Sequence, residues 1–212
     1  MTRLRRWVKP VDPLNLTQII LAEGKNMNRS EVKFEAKVLA EIIVFAALSA
    51  ALYSLTLPFL TLPYGGSVTA GSMVPIIWLS LRRGAKIGVV GGLIFGLVAL
   101  PIDTMRLPYS PIVHPAQVLL DYPIAFGTIG LAGVFKRSVS RRTFYPLIGV
   151  AVATLGRFIS HFFSGVLFWA TFDVDGVIYS AVYNGSFLTG EFIIAFVIMY
   201  VLVKKEILEI YI

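Results

Sequence analysis

Residues 144–169 read FYPLIGVAVATLGRFISHFFSGVLFW, a run in which Arg157 and His161 are the only ionisable side chains other than a tyrosine. A helix needs about 20 predominantly apolar residues to cross ~30 Å of hydrocarbon, so this segment is long enough to span a bilayer. Working outward with a window of about 19 residues, five more apolar stretches stand near 37–57, 69–81, 84–101, 115–135 and 184–203. The second is short and runs straight into Leu81-Arg82-Arg83-Gly84, so it is expected to lean on a preceding Gly-rich loop or on other helices. Composition agrees. Of 212 residues 57% are hydrophobic and 15% charged, and the mean hydropathy is +0.78. Soluble domains hold roughly 45–50% apolar and about 25% charged residues. The chain therefore reads as an all-α membrane protein with six transmembrane helices, its outer face in contact with the lipid bilayer. Despite a net charge of +7, no nucleic acid partner is expected.

The basic residues give the orientation. Of the 19 Lys and Arg, 17 lie before the first span, between spans two and three, between four and five, or after the sixth. The alternate connections, 58–68, 102–114 and 170–183, hold Arg106 against Asp103, Asp173 and Asp175. By the positive-inside rule the N- and C-termini are cytoplasmic and these three loops face outward. Residues 1–36 read as a cytoplasmic basic N-terminal arm, with Met27 an alternative start, and residues 37–212 as the six-helix transmembrane domain. No apolar run in the arm is long enough for a signal peptide.

Ionisable side chains within spans are costly and need partners or a function. Asp121, Arg157, His161 and Glu191 are in this position. At ~1.5 Å per residue, Asp121, Glu191 and His161 fall about 8, 10 and 12 Å below the outer boundary. Arg157 lies one turn below His161 on the same helix face. One reading is a buried network in which Asp121, Glu191 and Arg157 neutralise one another. The other is a pocket, because Tyr122, Trp169, Tyr179 and Asn184 lie at or just above the same level. A carboxylate, an imidazole, aromatic rings and an amide suit a flat, polar, cationic heterocycle. On position alone Trp169 reads better as an interfacial belt residue.

Chemistry beyond binding has little support. The chain has no cysteine, and its two histidines are too far apart to form a helical metal pair, so no metal or cofactor is expected. GxxxxGK[ST], HExxH and GxSxG are all absent from the sequence. ATP hydrolysis, if required, must come from other chains. Small residues repeat at four-residue spacing in helix one, Ala46 with Ala50 and Ala47 with Ala51, a pattern that fits internal packing or a partner helix equally.

Six blocks carry a resemblance: EIIVFAAL at 41–48, GGSVTAGSMVPI at 65–76, LSLRRG at 79–84 with GGLIFG at 91–96, LLDYPIAF at 119–126, HFFSGVLFW at 161–169, and Tyr179 with Asn184 five places on. In order and spacing they resemble the thiamine-specific S components of energy-coupling factor (ECF) transporters, over about residues 37–205. The resemblance implies that Asp121, Tyr122, His161, Trp169, Tyr179 and Asn184 hold the aminopyrimidine and thiazolium of thiamine; the ionisable residues of the spans add Arg157 and Glu191 behind them, and Tyr64 is a further supporting candidate. Tyr64 stands in the first outer loop, where some members carry tryptophan, and Asp121 where some carry glutamate. It also implies that Ala46, Ala47, Ala50 and Ala51 face an ECF transmembrane coupling subunit, which works with two ATPase subunits in the plasma membrane of a prokaryote. The alternatives are an S component for riboflavin or for a thiamine pyrimidine precursor, and an integral membrane enzyme or scaffold built on the His161/Asp121 cluster.

Overall fold

The computed structural model describes residues 29–107, 112–138, 144–169 and 173–207. In chain order these form α1 (Arg29–Ser54), an antiparallel ribbon of β1 (Thr56–Thr61) and β2 (Ser67–Thr69), α2 (Val74–Arg83), α3 (Ala85–Arg106), α4 (Pro115–Lys136), α5 (Phe144–Trp169) and α6 (Val174–Lys204). The described residues from Glu41 onward cluster as one compact unit. Residues 1–28, most of the expected N-terminal arm, lie outside the described residues.

Among the described residues, five helices are long and apolar enough to cross a membrane: α1 from Glu35, and α3 to α6. The second expected span differs. Helix α2 has only ten residues, beginning with Pro75 in its first turn and ending at Gly84, whose φ of 100° stops the helix. The stretch ahead of it is strand β2 followed by a turn rather than helix, and it is nonetheless buried: Val68 is 4% exposed and Thr69 and Ser72 are fully buried. Extended backbone in such a place needs partners for its polar groups. Thr69 finds one in Glu191 of α6, whose Oε1 accepts its N–H at 2.7 Å, while the Thr69 hydroxyl donates to Ser72 Oγ at 2.8 Å.

Helices α3 and α4 approach closely because glycines line the contact. A Cβ on Gly92 would fall 2.2 Å from the Phe126 carbonyl oxygen, and one on Gly130 would fall 2.1 Å from the Val89 nitrogen. The core beside them is aromatic. Phe95 and Phe126 meet edge to face at 4.5 Å between ring centroids, and Tyr53 packs on both. Glu41 of α1 pairs with Arg83 at 2.6 Å and Arg82 at 3.2 Å, so one carboxylate offsets part of the positive charge at the end of α2.

Two span limits also move. Helix α3 continues to Arg106, so Asp103 belongs to a helix and not to an outer loop. Helix α6 starts at Val174, ten residues before the expected 184, with the Asp173 side chain accepting the Gly176 N–H at 2.8 Å as N-cap. Tyr179 and Asn184 therefore sit within the helix rather than at its mouth.

Candidate substrate-binding site

Helix α4 is irregular where the site requires it. Pro123 has no N–H to give and its ring crowds the preceding turn, so residues Leu120–Ile124 adopt a widened, π-helical turn. The Leu120 carbonyl accepts the Ala125 N–H across this wider turn and also Ser160 Oγ of α5 at 2.6 Å. Asp121 and Tyr122 lie in this turn. Helix α5 likewise ends in a π-helical turn, Gly165–Trp169, and Gly165 leaves no room for a Cβ because Ser180 Oγ would stand 2.2 Å from it. Trp169 is thereby brought alongside α6.

All six residues expected to bind substrate, Asp121, Tyr122, His161, Trp169, Tyr179 and Asn184, line a single cleft of about 770 Å³, its open mouth included. Asp121 is the acidic focus. Its Oδ1 lies 3.0 Å from His161 Nδ1, and its Oδ2 accepts Gln117 Nε2 at 2.5 Å. A carboxylate only accepts, so Nδ1 carries the hydrogen in this pair. His161 Nε2 is buried and has no partner among the described residues, while Phe187 packs edge to face on the ring.

Asn184 is positioned by its amide, which donates to the Ser180 carbonyl at 2.9 Å and to the His161 carbonyl at 3.3 Å. Tyr179 is 46% exposed and stacks on Tyr183 at 5.7 Å. The Tyr183 hydroxyl accepts the Gly66 N–H at 2.9 Å and donates to the Pro63 carbonyl, tying the β1–β2 connection to α6 over the cleft, which Gly65, Gly66 and Ser67 also line.

The three supporting residues fare differently. Arg157 lines the cleft, 3% exposed, with its guanidinium 4.4 Å from the Phe126 ring centroid. Glu191 does not line it; it holds Thr69. The side chain of Tyr64 lies outside the described residues. A mutual network of Asp121, Arg157 and Glu191 is not what forms, since each of the three has a different neighbour. Among the lining residues that the sequence did not point to are Tyr53, Asp103, Gln117, Tyr183 and Phe187. Gln117 carried a readable signal, standing four residues before Asp121 on one helix face. The small-residue stripe of α1 divides: Ala46 and Ala50 are buried in the bundle, at 2% and 7% exposure, whereas Ala47 and Ala51 are exposed. Placing all four on an outer surface is corrected for Ala46 and Ala50, because residues four apart share one face and that face packs on the core.

Known proteins share this architecture. The thiamine transporter ThiT of Bacillus subtilis is 34% identical over 180 residues, 78% of this chain and 91% of that protein. The thiamine transporter ThiT of Lacticaseibacillus paracasei is 28% identical over 142 residues, 61% of this chain and 70% of that protein. The solved structure of ThiT from Listeria monocytogenes aligns with a TM-score of 0.68 at 25% identity, covering 81% of this chain and 95% of that one. The sequence profile of the thiamine transporter protein family matches residues 39–210. The chain belongs to that family.

Proposed function

We propose that the chain is the thiamine-binding S component of an ECF transporter, a membrane subunit that captures thiamine outside the cell and passes it inward. It is a transporter subunit and not an enzyme; a transmembrane coupling subunit and two ATPase subunits supply the energy. The observation that carries this reading is the convergence of Asp121, His161, Trp169, Tyr179 and Asn184, from three helices, on one cleft. Asp121 supplies negative charge for the thiazolium, and the rings supply faces for stacking. The cleft's acidic focus is less suited to a neutral flavin.

In this reading the chain crosses the plasma membrane of a prokaryote six times with both termini cytoplasmic. The second crossing combines α2, ten residues and about 15 Å long, with strand β2 (Ser67–Thr69) and the buried turn that joins them. Asp121, Tyr122, His161, Trp169, Tyr179 and Asn184 contact thiamine, with Arg157 beneath them and Tyr64 in the loop above. Ala47 and Ala51 meet the coupling subunit.

The test is calorimetric titration of the purified full-length protein with thiamine, riboflavin and the free aminopyrimidine alcohol. Saturable binding of thiamine far tighter than either competitor is expected. Preference for riboflavin, or conversion of bound thiamine to another compound, would overturn the proposal.

A further inference from the structure

Asp103 performs a task in the cleft that the ion pair with Arg106 does not explain. Its Oδ1 accepts Arg106 Nη2 at 2.8 Å, and its Oδ2 accepts two phenols, Tyr53 at 2.8 Å and Tyr122 at 3.2 Å. All three of Tyr53, Asp103 and Tyr122 are 5% exposed and line the cleft. A phenol has one proton. With both protons committed to Asp103, the two phenol oxygens have only lone pairs left for anything else. Arg106 neutralises the carboxylate, so Asp103 does not compete with Asp121 for a ligand's positive charge.

The opposite polarity lies nearby. Arg157, a donor with no acceptor atoms, lines the same cleft with its guanidinium over the Phe126 ring, on which Tyr53 also packs. Its Nε and Nη1 have no partner among the described residues. The cleft therefore offers acceptors beside a donor. A 4-aminopyrimidine presents the complement, an exocyclic amino donor next to a ring-nitrogen acceptor. Its 4-oxo counterpart has almost the same shape but reverses both, with a carbonyl acceptor next to a ring N–H.

We infer that Asp103 is a specificity-determining positioning residue, which fixes the Tyr53 and Tyr122 hydroxyls as acceptors so that the cleft selects amino- over oxo-pyrimidines. The inference rests on the thiamine reading and adds to it a basis for discrimination that shape cannot supply. A site built to hydrogen-bond one pattern leaves buried polar groups unpaired when the pattern is reversed, so rejection is strong.

The test compares thiamine with oxythiamine, its 4-oxo analogue, which keeps the thiazolium. Dissociation constants are measured on the full-length protein, its Asp103→Asn variant and its Tyr122→Phe variant. Wild type is expected to bind oxythiamine at least about tenfold more weakly than thiamine. In Asp103→Asn the amide can donate and no longer holds both phenol protons, so thiamine weakens more than oxythiamine and the ratio falls toward one. Tyr122→Phe keeps the ring and the Asp103–Arg106 pair, removes one oriented oxygen, and is expected to lower the ratio too. A purely structural role predicts parallel losses for both compounds, which would overturn the inference, as would a ratio unchanged in the variants. Should Asp103→Asn not fold, Tyr122→Phe decides. Wild type binding both compounds equally overturns the inference and leaves the thiamine reading standing; wild type binding neither overturns both.

Discussion

At Asp121 both carboxylate oxygens are engaged before any ligand arrives, one by His161 and one by Gln117. Asp121→Asn therefore does two things: it removes the negative charge proposed to face a thiazolium, and it puts an N–H₂ against one of two donors. Thiamine affinity is expected to fall by about tenfold or more, the usual cost of losing a charged hydrogen-bond partner. Asp173→Asn, at the N-cap of α6, should change nothing, since asparagine caps as well as aspartate. Equal affinities of the two variants in a titration would remove Asp121 from the site. Glu191 calls for a different pair of substitutions. Glu191→Gln keeps an acceptor for Thr69 N–H and should fold with a near-normal melting temperature. Glu191→Ala leaves that buried N–H unsatisfied and is expected to destabilise by ~1–3 kcal/mol; melting curves that do not separate the two would show that the bond contributes nothing. The partner of Glu191 and the helical setting of Asp103 are hidden in the sequence for different reasons. An acid in an apolar run is visible, but its partner, a backbone N–H in the buried extended stretch before α2, is not. Asp103 stands three residues from Arg106 at a span end, where a charged pair reads as a solvated loop. Asp121, His161 and Trp169 were legible because ionisable and large aromatic side chains stand out against aliphatic neighbours.

Helix boundaries follow from local chemistry that hydropathy does not register. Val174 to Tyr183 holds one acid and several polar residues, enough to read as loop, yet Asp173 caps it and the helix begins there. The π-helical turn of α4 is legible only in part: Pro123 announces a break, but not the Ala125 N–H to Leu120 carbonyl register that follows or the added bond from Ser160 of α5. Glycines behave more predictably. Gly88, Gly92 and Gly96 recur every four residues on α3, and the structure places them against the backbone of α2 and α4. Gly92→Ala puts a methyl group 2.2 Å from a carbonyl oxygen that no rotamer change can move. Separating two packed helices to relieve that clash should cost ~1–3 kcal/mol or more and lower the melting temperature. Gly185→Ala meets only Phe158 at 3.8 Å, an ordinary contact, and the added helix propensity should leave the protein as stable or slightly more so. A tolerated Gly92→Ala would mean that α3 and α4 do not approach as closely as described.

For the molecule as a whole, capture and delivery are separable, and α1 is where the proposal separates them. Its two alanine pairs look alike in sequence, but Ala46 and Ala50 sit in the aromatic and aliphatic core while Ala47 and Ala51 lie on the exposed side with Val44 and Leu48. Tryptophan at Ala46 or Ala50 adds a ring to a filled interior; overpacking of that size is expected to prevent folding or lower the melting temperature sharply, whatever the partner does. Tryptophan at Ala47 or Ala51 meets lipid in the isolated protein, so folding and thiamine binding should persist, because the cleft's expected ligands lie on α4, α5 and α6. Small residues allow helices to come within about 8 Å, and a ring inserted there holds a partner helix away. In cells containing the coupling and ATPase subunits, Ala47→Trp should therefore bind thiamine normally when purified and yet fail to take it up, since binding alone cannot move substrate against a gradient. Uptake at the wild-type rate by a correctly inserted Ala47→Trp, Ala51→Trp double variant would exclude this face as the docking surface. Loss of binding together with uptake would instead mean that the exposed face of α1 supports the cleft itself.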